Sequence, residues 1–386
     1  MGEDKLTILL SGMIAADPYQ GGATWAVLQY ALGFERLGHE VVFVEPLKEA
    51  ALRPAGTSLA DSINAAYFRQ VTAEFGLERS ALLLEGTQQT VGLPFEQLRQ
   101  TVAACHVLVN ISGLLANERL TGSIPFRVYL DLDPGFNQLW QAVQGIDMGF
   151  AGHTHFVTIG QAIGQPDCPV PSCGLPWITT LQPIVLAHWP IAARLDHHAL
   201  TTIGNWRGYG SIEHQGIFYG QKAHSLRPFL ELPRRTSEKF LLALAIHPEE
   251  SKDLAALAAN GWQLVDPAQV AETPARYQQF IQGSKAEFGI AKSGYVASRC
   301  GWFSDRSICY LASGRPVLAQ ETGFSRFLPT GTGLLAFQTI DDVLAGVEAL
   351  NRDYARHARA ARELAEECFD SDKVLPRLLQ KIGALP

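Results

Sequence analysis

The chain has 386 residues, 47% of them hydrophobic and 18% charged, which supplies enough apolar material for two cores and makes bulk disorder improbable. Its formal net charge of −7 argues against a general nucleic-acid-binding surface, because such a surface needs a basic excess. A small anionic ligand stays compatible with this charge, since one local cluster of donors can bind it.

At the start of the chain, acidic residues precede a short apolar run, which is not the pattern of a signal peptide. No stretch reaches the roughly 18 uninterrupted apolar residues of a membrane span. The six cysteines are scattered and form no Cys-x-x-Cys pair, so the sequence predicts free thiols and no zinc site. These features together predict a cytoplasmic protein without a membrane span.

In the first half, strand-like and helix-like segments alternate, as in the βαβ units of a parallel sheet. From residue 166 to 190, prolines and aromatic residues are dense and predict an irregular segment. The predicted strands are 6–11, 41–44, 81–84, 107–111, 127–132 and 155–159, and the predicted helices are 24–37, 60–75 and 95–104.

A second alternating block begins near residue 201 and ends in a helical tail. Its predicted strands are 201–204, 240–246, 262–265, 288–291, 316–319 and 334–337. Its predicted helices are 226–232, 251–259, 274–282, 304–312, 341–350, 355–368 and 373–382.

This layout predicts an α/β fold with two doubly wound parallel-sheet domains facing a cleft. The first domain would span residues 1–190, the second residues 191–365, and residues 366–386 would form a C-terminal helix that could cross back to the first domain. Ligands of open parallel sheets bind beyond the carboxyl ends of the strands. We therefore look for function in the residues that follow each strand.

The turn after the first strand carries Asp17, Gly21 and Gly22 and leads into a helix. Two glycines allow the backbone to approach a ligand, and a helix N-terminus offers unpaired N–H donors. The same glycines also fit an ordinary turn with positive φ. We predict that this loop lies on the acceptor side of the cleft.

Two carboxylates, Asp131 and Asp133, follow one apolar strand, which is stopped by Pro134-Gly135. Residues two apart in a strand point the same way, and like charges so close should raise one pKa, as a catalytic base requires. We slightly favour Asp131 as the base, because Asp133 could instead bind the backbone of its turn. A two-carboxylate metal site is a lesser alternative, and His153 and Asp17 are the next candidates for the base.

The most informative stretch runs from residue 292 to 318. A strand is followed by a glycine-bearing loop, and then by a helix with Ser304 as its predicted N-cap and Asp305 in its first turn. Such a helix start can bind a diphosphate through its backbone amides and dipole. Arg299 or Arg306 could add charge-assisted hydrogen bonds.

The segment Arg299-Cys300-Gly301-Trp302-Phe303-Ser304, with Gly314-Arg315-Pro316 and Gln320-Glu321 after it, resembles the donor signature of the UDP-glycosyltransferases. The stretches 21–41 and 323–335 resemble the glycogen-synthase-like glycosyltransferases. This resemblance implies the two-domain fold called GT-B. The usual first His and the Asn of the signature are replaced by Arg299 and Phe303, and the acid of the following helix is missing. The choice between the two groups, and between inversion and retention, stays open.

The resemblance also implies roles for individual residues. The donor diphosphate would be bound near Gly301, Trp302, Phe303 and Ser304. The hydroxyls of the donor sugar would meet Gln320 and Glu321. Arg207 and Lys222 would resemble the Arg/Lys pair that neutralises the leaving diphosphate, although both could also be ordinary surface cations.

From these features we predict a glycosyltransferase that uses a nucleotide-sugar donor, with UDP as the guessed nucleotide, and a small-molecule or glycan acceptor. We expect no cofactor, no essential metal and no nucleic-acid partner. The alternatives are an epimerase or hydrolase of nucleotide sugars on the same fold, and a non-catalytic two-domain ligand-binding protein. The oligomeric state cannot be read from the sequence.

Overall fold

The computed structural model describes residues 5–386. Glu3 and Asp4, the acidic residues behind the signal-peptide interpretation, lie outside this range. Among the described residues, no helix has both the length and the apolar character needed to cross a bilayer.

The first domain is built on an eight-stranded sheet in the order β4-β3-β2-β1-β5-β6-β7-β8, parallel except for β4. Its strands are β1 (Thr7–Ser11), β2 (Glu40–Leu47), β3 (Ser80–Leu84), β4 (Thr90–Gly92), β5 (Val107–Ile111), β6 (Phe126–Asp131), β7 (His155–Thr158) and β8 (Trp177–Thr179). Its helices are α1 (Gly21–Arg36), α2 (Ile63–Glu74), α3 (Phe95–Ala103), α4 (Glu118–Thr121) and α5 (Phe136–Val143).

The second domain is built on a six-stranded parallel sheet in the order β13-β12-β9-β14-β15-β16, with a separate antiparallel hairpin, β10-β11. Its strands are β9 (His197–Asn205), β10 (Ile212–His214), β11 (Ile217–Tyr219), β12 (Phe240–Ala245), β13 (Gln263–Leu264), β14 (Ser284–Gly289), β15 (Val317–Gln320) and β16 (Leu334–Phe337). Its helices are α6 (Lys222–Leu226), α7 (Ser251–Ala259), α8 (Pro267–Ala271), α9 (Pro274–Gly283), α10 (Ser293–Ser298) and α11 (Asp305–Ala312). The tail comprises α12 (Ile340–Arg352), α13 (Tyr354–Leu364) and α14 (Ser371–Lys381).

The central strands are apolar because helices cover both faces of each sheet. Strand β1 lies between β2 and β5, with Ile8 paired to Val41 on one side and to Val107 on the other. Every residue of β5 is buried, as expected for a strand inside a parallel sheet. The strand order of the second sheet is that of a doubly wound fold, so the predicted fold class is confirmed.

Helix α1 joins the two domains. The indole Nε1 of Trp25 donates to the carbonyl oxygen of Pro274 at 2.9 Å, at the start of α9. On its other side α1 packs against α14, where Leu375 lies so close to Gly33 that a Cβ there would come within 2.5 Å of a Leu375 methyl group. The C-terminal helix therefore packs on the first domain after the chain has completed the second.

Several short elements differ from the sequence prediction. The sequence pattern at Pro134-Gly135 predicts only the end of a strand, but Gly135, with φ of +93°, is also the N-cap of helix α5. The irregular segment 166–190 contains the short strand β8, and the hairpin β10-β11 was missed. Each of these elements is short, so hydrophobic periodicity has too few residues in which to appear.

Candidate functional site

A cleft lies between the domains, at the carboxyl ends of the strands of the second sheet. Its large lobe has a volume of ≈ 1060 Å³ and reaches the ends of β9, β12 and β13. Its small lobe, of ≈ 380 Å³, reaches the segment after β14 and the first domain at Asp133. The two lobes share Gly204, Asn205, Asp305 and Arg306, so they form one continuous site.

Two cations converge at the junction of the lobes, above Gly204 at the end of β9. A Cβ atom on Gly204 would lie 3.4 Å from the Lys222 Nζ and 3.9 Å from an Arg306 Nη1. The Lys222 ammonium donates to the carbonyl oxygen of Ile290 at 2.7 Å. The Arg306 guanidinium donates to Glu287 at 2.6 Å and to the carbonyl oxygen of Ile203 at 3.0 Å. Both positive groups thus border the same small volume, which glycine leaves open.

Burial makes the charged form of Lys222 energetically unfavourable. Desolvation, and then the positive charge of Arg306, hold the pKa of Lys222 well below its usual value, although the Glu287 carboxylate acts in the opposite direction. For Arg306 burial is the largest influence and lowers the pKa, but the charge and hydrogen bond of Glu287, together with the nearby tyrosines Tyr277 and Tyr310, outweigh burial and the pKa is raised. An anion bound at this junction would stabilise the charged form of Lys222.

The N-terminus of α11 faces the same junction. Ser304 is its N-cap residue, yet the Ser304 side chain makes no capping hydrogen bond to the helix. The first amides of α11 are therefore not satisfied by a side-chain cap, and Ser304 and Asp305 both line the small lobe. An uncapped helix start beside two cations is a typical binding site for phosphate groups.

The small lobe contains a cluster of polar and aromatic residues from both domains. The ammonium of Lys292 lies 3.0 Å from Asp133, across the domain boundary. The hydroxyls of Tyr209 and Tyr295 donate to the same carboxylate. Lys292 also lies over the rings of Phe136, Tyr209 and Tyr295, at 5.0, 4.0 and 5.2 Å from their centroids. We call Asp133, Lys292, Tyr209 and Tyr295 the cross-domain cluster.

Aromatic surface continues from this cluster towards the junction of the two lobes. Trp302 stacks on Tyr295, with ring centroids 4.2 Å apart and an interplanar angle of 18°. Trp302 lines the small lobe, together with the side chains of Gln182 and Gln221. Flat rings beside amide groups are suited to the apolar faces and the hydroxyls of a sugar.

The expectation that Asp131 faces the cleft is wrong. Asp131 is fully buried, and its carboxylate accepts hydrogen bonds from Asn137, Gln138 and Thr158 at 2.7, 2.8 and 2.7 Å. Burial raises the pKa of Asp131 to about 6, although the bonds from Gln138 and Thr158 lower it. Asp131 therefore positions the turn that presents Asp133, and Asp133 is the carboxylate that lines the small lobe.

Arg207 and Arg299 are not brought to the cleft either. Arg207 pairs with Glu250 and approaches His224, and it lines neither lobe. Arg299 is exposed and adopts a left-handed backbone conformation with φ of +48° at the end of α10. Of the three arginines considered from sequence, Arg306 alone borders the site.

Four residues of the donor-like signature line neither lobe and instead make hydrogen bonds or packing contacts within the protein. Gly301 donates its amide to Thr322, and Phe303 is buried, stacked on Phe369 with centroids 5.6 Å apart. Gln320 accepts from the amide of Ala291 at 3.2 Å, and Glu321 accepts from that of Gly323 at 2.5 Å. The residues expected to meet the diphosphate and the sugar at these positions thus stabilise the loops behind the site.

The glycines of the first-domain loop are explained by domain packing. A Cβ at Gly21 would lie 2.3 Å from the carbonyl oxygen of Thr273, and one at Gly22 would lie 2.8 Å from the ring of Tyr277. Asp17 forms an exposed ion pair with Arg53 at 2.7 Å. Of these three predicted residues, Gly22 also lines the large lobe.

Sequence reasoning assigned no role to Lys292, Tyr209 or Tyr295. Two weak signals were present: Lys292 follows a strand of the second sheet, and Tyr209 stands between two glycines in the segment after β9. Neither signal identifies Asp133 as the partner, because that residue belongs to the other domain.

Neither a protein-family model nor a curated protein matches this sequence. Among solved structures, it resembles HepE from Anabaena in complex with UDP and glucose, with 10% identity, coverage of 98% of this chain and 100% of that chain, and a TM-score of 0.61. It also resembles an alpha-glucosyltransferase in complex with UDP, with 11% identity, coverage of 98% and 100%, and a TM-score of 0.61. The same kind of enzyme in complex with UDP-glucose and DNA containing an abasic site gives 12% identity, coverage of 98% and 99%, and a TM-score of 0.60. The fold of this chain is therefore GT-B over nearly its whole length.

Proposed function

We propose that this protein is a glycosyltransferase, which transfers a sugar from a nucleoside-diphosphate sugar to an acceptor hydroxyl. The observation that carries the proposal is the convergence of Lys222, Arg306 and the uncapped start of α11 above Gly204. When the bond to the sugar breaks, negative charge builds up on the departing diphosphate. Preorganised cations and helix amides stabilise such charge without reorganisation.

The two lobes then fit the two ends of the donor. With the diphosphate at the junction, the nucleoside would occupy the large lobe and the sugar the small lobe, against Trp302 and the cross-domain cluster. UDP is our choice of nucleotide, because the similar structures contain UDP or UDP-glucose. The nucleotide sugar is a substrate here, and we propose no further cofactor and no essential metal, since Lys222 and Arg306 supply the positive charge.

Asp133 is the carboxylate that we propose to act towards the acceptor, either as a base or by stabilising positive charge at the sugar. In the described structure Asp133 accepts hydrogen bonds from Lys292, Tyr209 and Tyr295. Proton acceptance by Asp133 therefore requires one of these bonds to be exchanged when the substrates bind.

For the acceptor we propose a small molecule or a glycan. One of the similar proteins was solved with DNA, but the charge of −7 on this chain opposes binding to a polyanion. We propose a cytoplasmic location, supported by the six cysteines, none of which forms a disulfide in the described structure.

Ligand-dependent stabilisation tests the proposal. Binding to the native state raises the melting temperature, so UDP and UDP-glucose at millimolar concentration should raise it, while uridine should raise it much less. Incubation with UDP-glucose and a panel of acceptors, with and without acceptor, then separates transfer from hydrolysis and from epimerisation by their products. A protein that none of several nucleoside diphosphates stabilises, and that leaves nucleotide sugars intact, would contradict the proposal.

A further inference from the structure

The large lobe is bordered by an unusual aromatic residue of the first domain. Tyr19 lies in the loop before α1, and 41% of its surface is exposed. Its φ is +69°, in the left-handed region that bulky side chains rarely adopt. Such a backbone is strained and persists where the surrounding structure holds it, often at a binding site.

The surrounding structure does hold this loop. The ring of Tyr67 packs edge-on against Tyr19, with centroids 5.0 Å apart, and the Tyr67 hydroxyl lies 3.1 Å from that of Thr24. Just before the loop, the buried carboxylate of Glu45 accepts hydrogen bonds from the amides of Ala15 and Ala16 at 2.6–2.8 Å. A fixed loop thus holds an aromatic ring at the edge of a cavity, with much of the ring uncovered.

The second domain contributes a wall of the large lobe, formed by the segments that follow β12 and β13. It includes His247 and Pro248 on one segment and Asp266 and Pro267 on the other. The cationic junction at Gly204 lies at one end of this space. A group attached to a phosphate at the junction, and extending away from the small lobe, enters the large lobe, which both Tyr19 and this wall line.

We infer that Tyr19 binds the nucleoside of the donor, closing on it from the first domain while the segments after β12 and β13 bind it from the second. The inference rests on the proposed function, because it takes the diphosphate at the junction as given. Aromatic side chains recognise nucleobases through their π-face and tolerate different bases. Tyr19 therefore contributes affinity for the nucleoside part of the donor and none for the phosphates.

The test compares two probes, UDP and inorganic pyrophosphate, by calorimetry on the full chain. The variants are Tyr19→Ala and Tyr19→Phe, with Phe218→Ala as the matched control, because Phe218 is an aromatic residue that is 49% exposed and lines neither lobe. A further variant, Tyr19→Gly, removes the ring and at the same time suits the positive φ, so it separates loss of the ring from backbone strain.

Tyr19→Ala and Tyr19→Gly should weaken UDP binding by about 5- to 150-fold, the range that stacking on one base provides. Pyrophosphate binding should stay within about twofold in all variants, and Tyr19→Phe and Phe218→Ala should bind UDP within about twofold of the wild type. Unchanged UDP affinity in Tyr19→Gly would overturn the inference, as would an equal loss of pyrophosphate affinity. If the wild type binds neither UDP nor pyrophosphate, the proposed function itself has failed, which is a different result.

Discussion

Replacement of Lys222 by methionine tests the donor site most directly. Methionine keeps most of the length of the side chain and removes the ammonium that borders the space above Gly204. A hydrogen bond to a charged group contributes about 1.5–3 kcal/mol, so the affinity for UDP should fall by about 10- to 150-fold. Because the leaving diphosphate gains charge in the transition state, kcat should also fall, by about 10²–10³-fold.

Arg207→Met is the matched control. Arg207 is a cation fifteen positions earlier in the sequence, but it pairs with Glu250 and lines neither lobe. UDP affinity and turnover should therefore stay near the wild-type values. The measurements are calorimetric titration with UDP and turnover of UDP-glucose, with folding checked by thermal melts. If Lys222→Met binds UDP normally and Arg207→Met does not, the assignment of the diphosphate site is refuted.

The pH dependence of UDP binding gives a second test of Lys222. Four charged groups influence the pKa of its ammonium: Arg306 and Lys292 lower it, and Glu287 and Asp305 raise it. In the free protein burial and Arg306 lower the pKa of Lys222, and a bound diphosphate should raise it again. Between these two pKa values binding takes up a proton, so the affinity for UDP should fall as the pH rises. This proton uptake should disappear in Lys222→Met.

Three further outcomes are expected. Asp133→Asn should lower turnover by about 10²–10⁴-fold with UDP affinity retained. Asp131→Asn should mainly lower the melting temperature, by about 2–4 °C for each kcal/mol lost. Equal turnover in both variants would show that the base is another residue. Burial raises the pKa of Glu45 from 4.5 to about 7, so the native state retains a proton that the unfolded chain releases, and the free energy of unfolding should decrease between these pH values by up to about 3 kcal/mol. Denaturant titrations should show this decrease in the wild type and not in Glu45→Gln, and parallel curves would contradict it. Chelation should leave transfer intact, and a loss of activity restored by Mg²⁺ would show that a metal is required.

Much of the fold follows from local sequence. The strands of both sheets are buried on two faces, so they appear as short apolar runs such as Val107–Ile111, which the structure places at the predicted residues. Two helices of the second domain also lie where the sequence predicts them. Helix α7 has the predicted bounds Ser251–Ala259, and α9 begins with a proline after the N-cap Thr273. Helix α5 was missed because Pro134-Gly135 signals both the end of a strand and the start of a helix.

The site was harder to predict, because side-chain direction depends on tertiary packing. Trp206 is buried and its indole donates to Asp253 at 2.9 Å. The next residue, Arg207, is consequently directed away from the cleft towards Glu250, although its position after a strand suggested otherwise. The pairing of Asp133 with Lys292 joins two domains across 159 positions, and no local pattern carries that information.

The charges at the site also explain how a chain with net charge −7 could bind a diphosphate. Arg306 is paired with Glu287, and Lys292 is paired with Asp133. Lys222 has the carbonyl oxygen of Ile290 as its hydrogen-bond partner, and it forms no ion pair within residues 5–386. The carboxylates of Glu287 and Asp133 are thus engaged by other cations, while the buried ammonium of Lys222 forms no ion pair in this part of the chain. A small anion placed above Gly204 supplies a counter-ion at short range, where the overall charge of the chain is screened within about 10 Å at ordinary salt concentrations. The proposed selectivity for a phosphate group at this position therefore needs only local geometry and no basic surface.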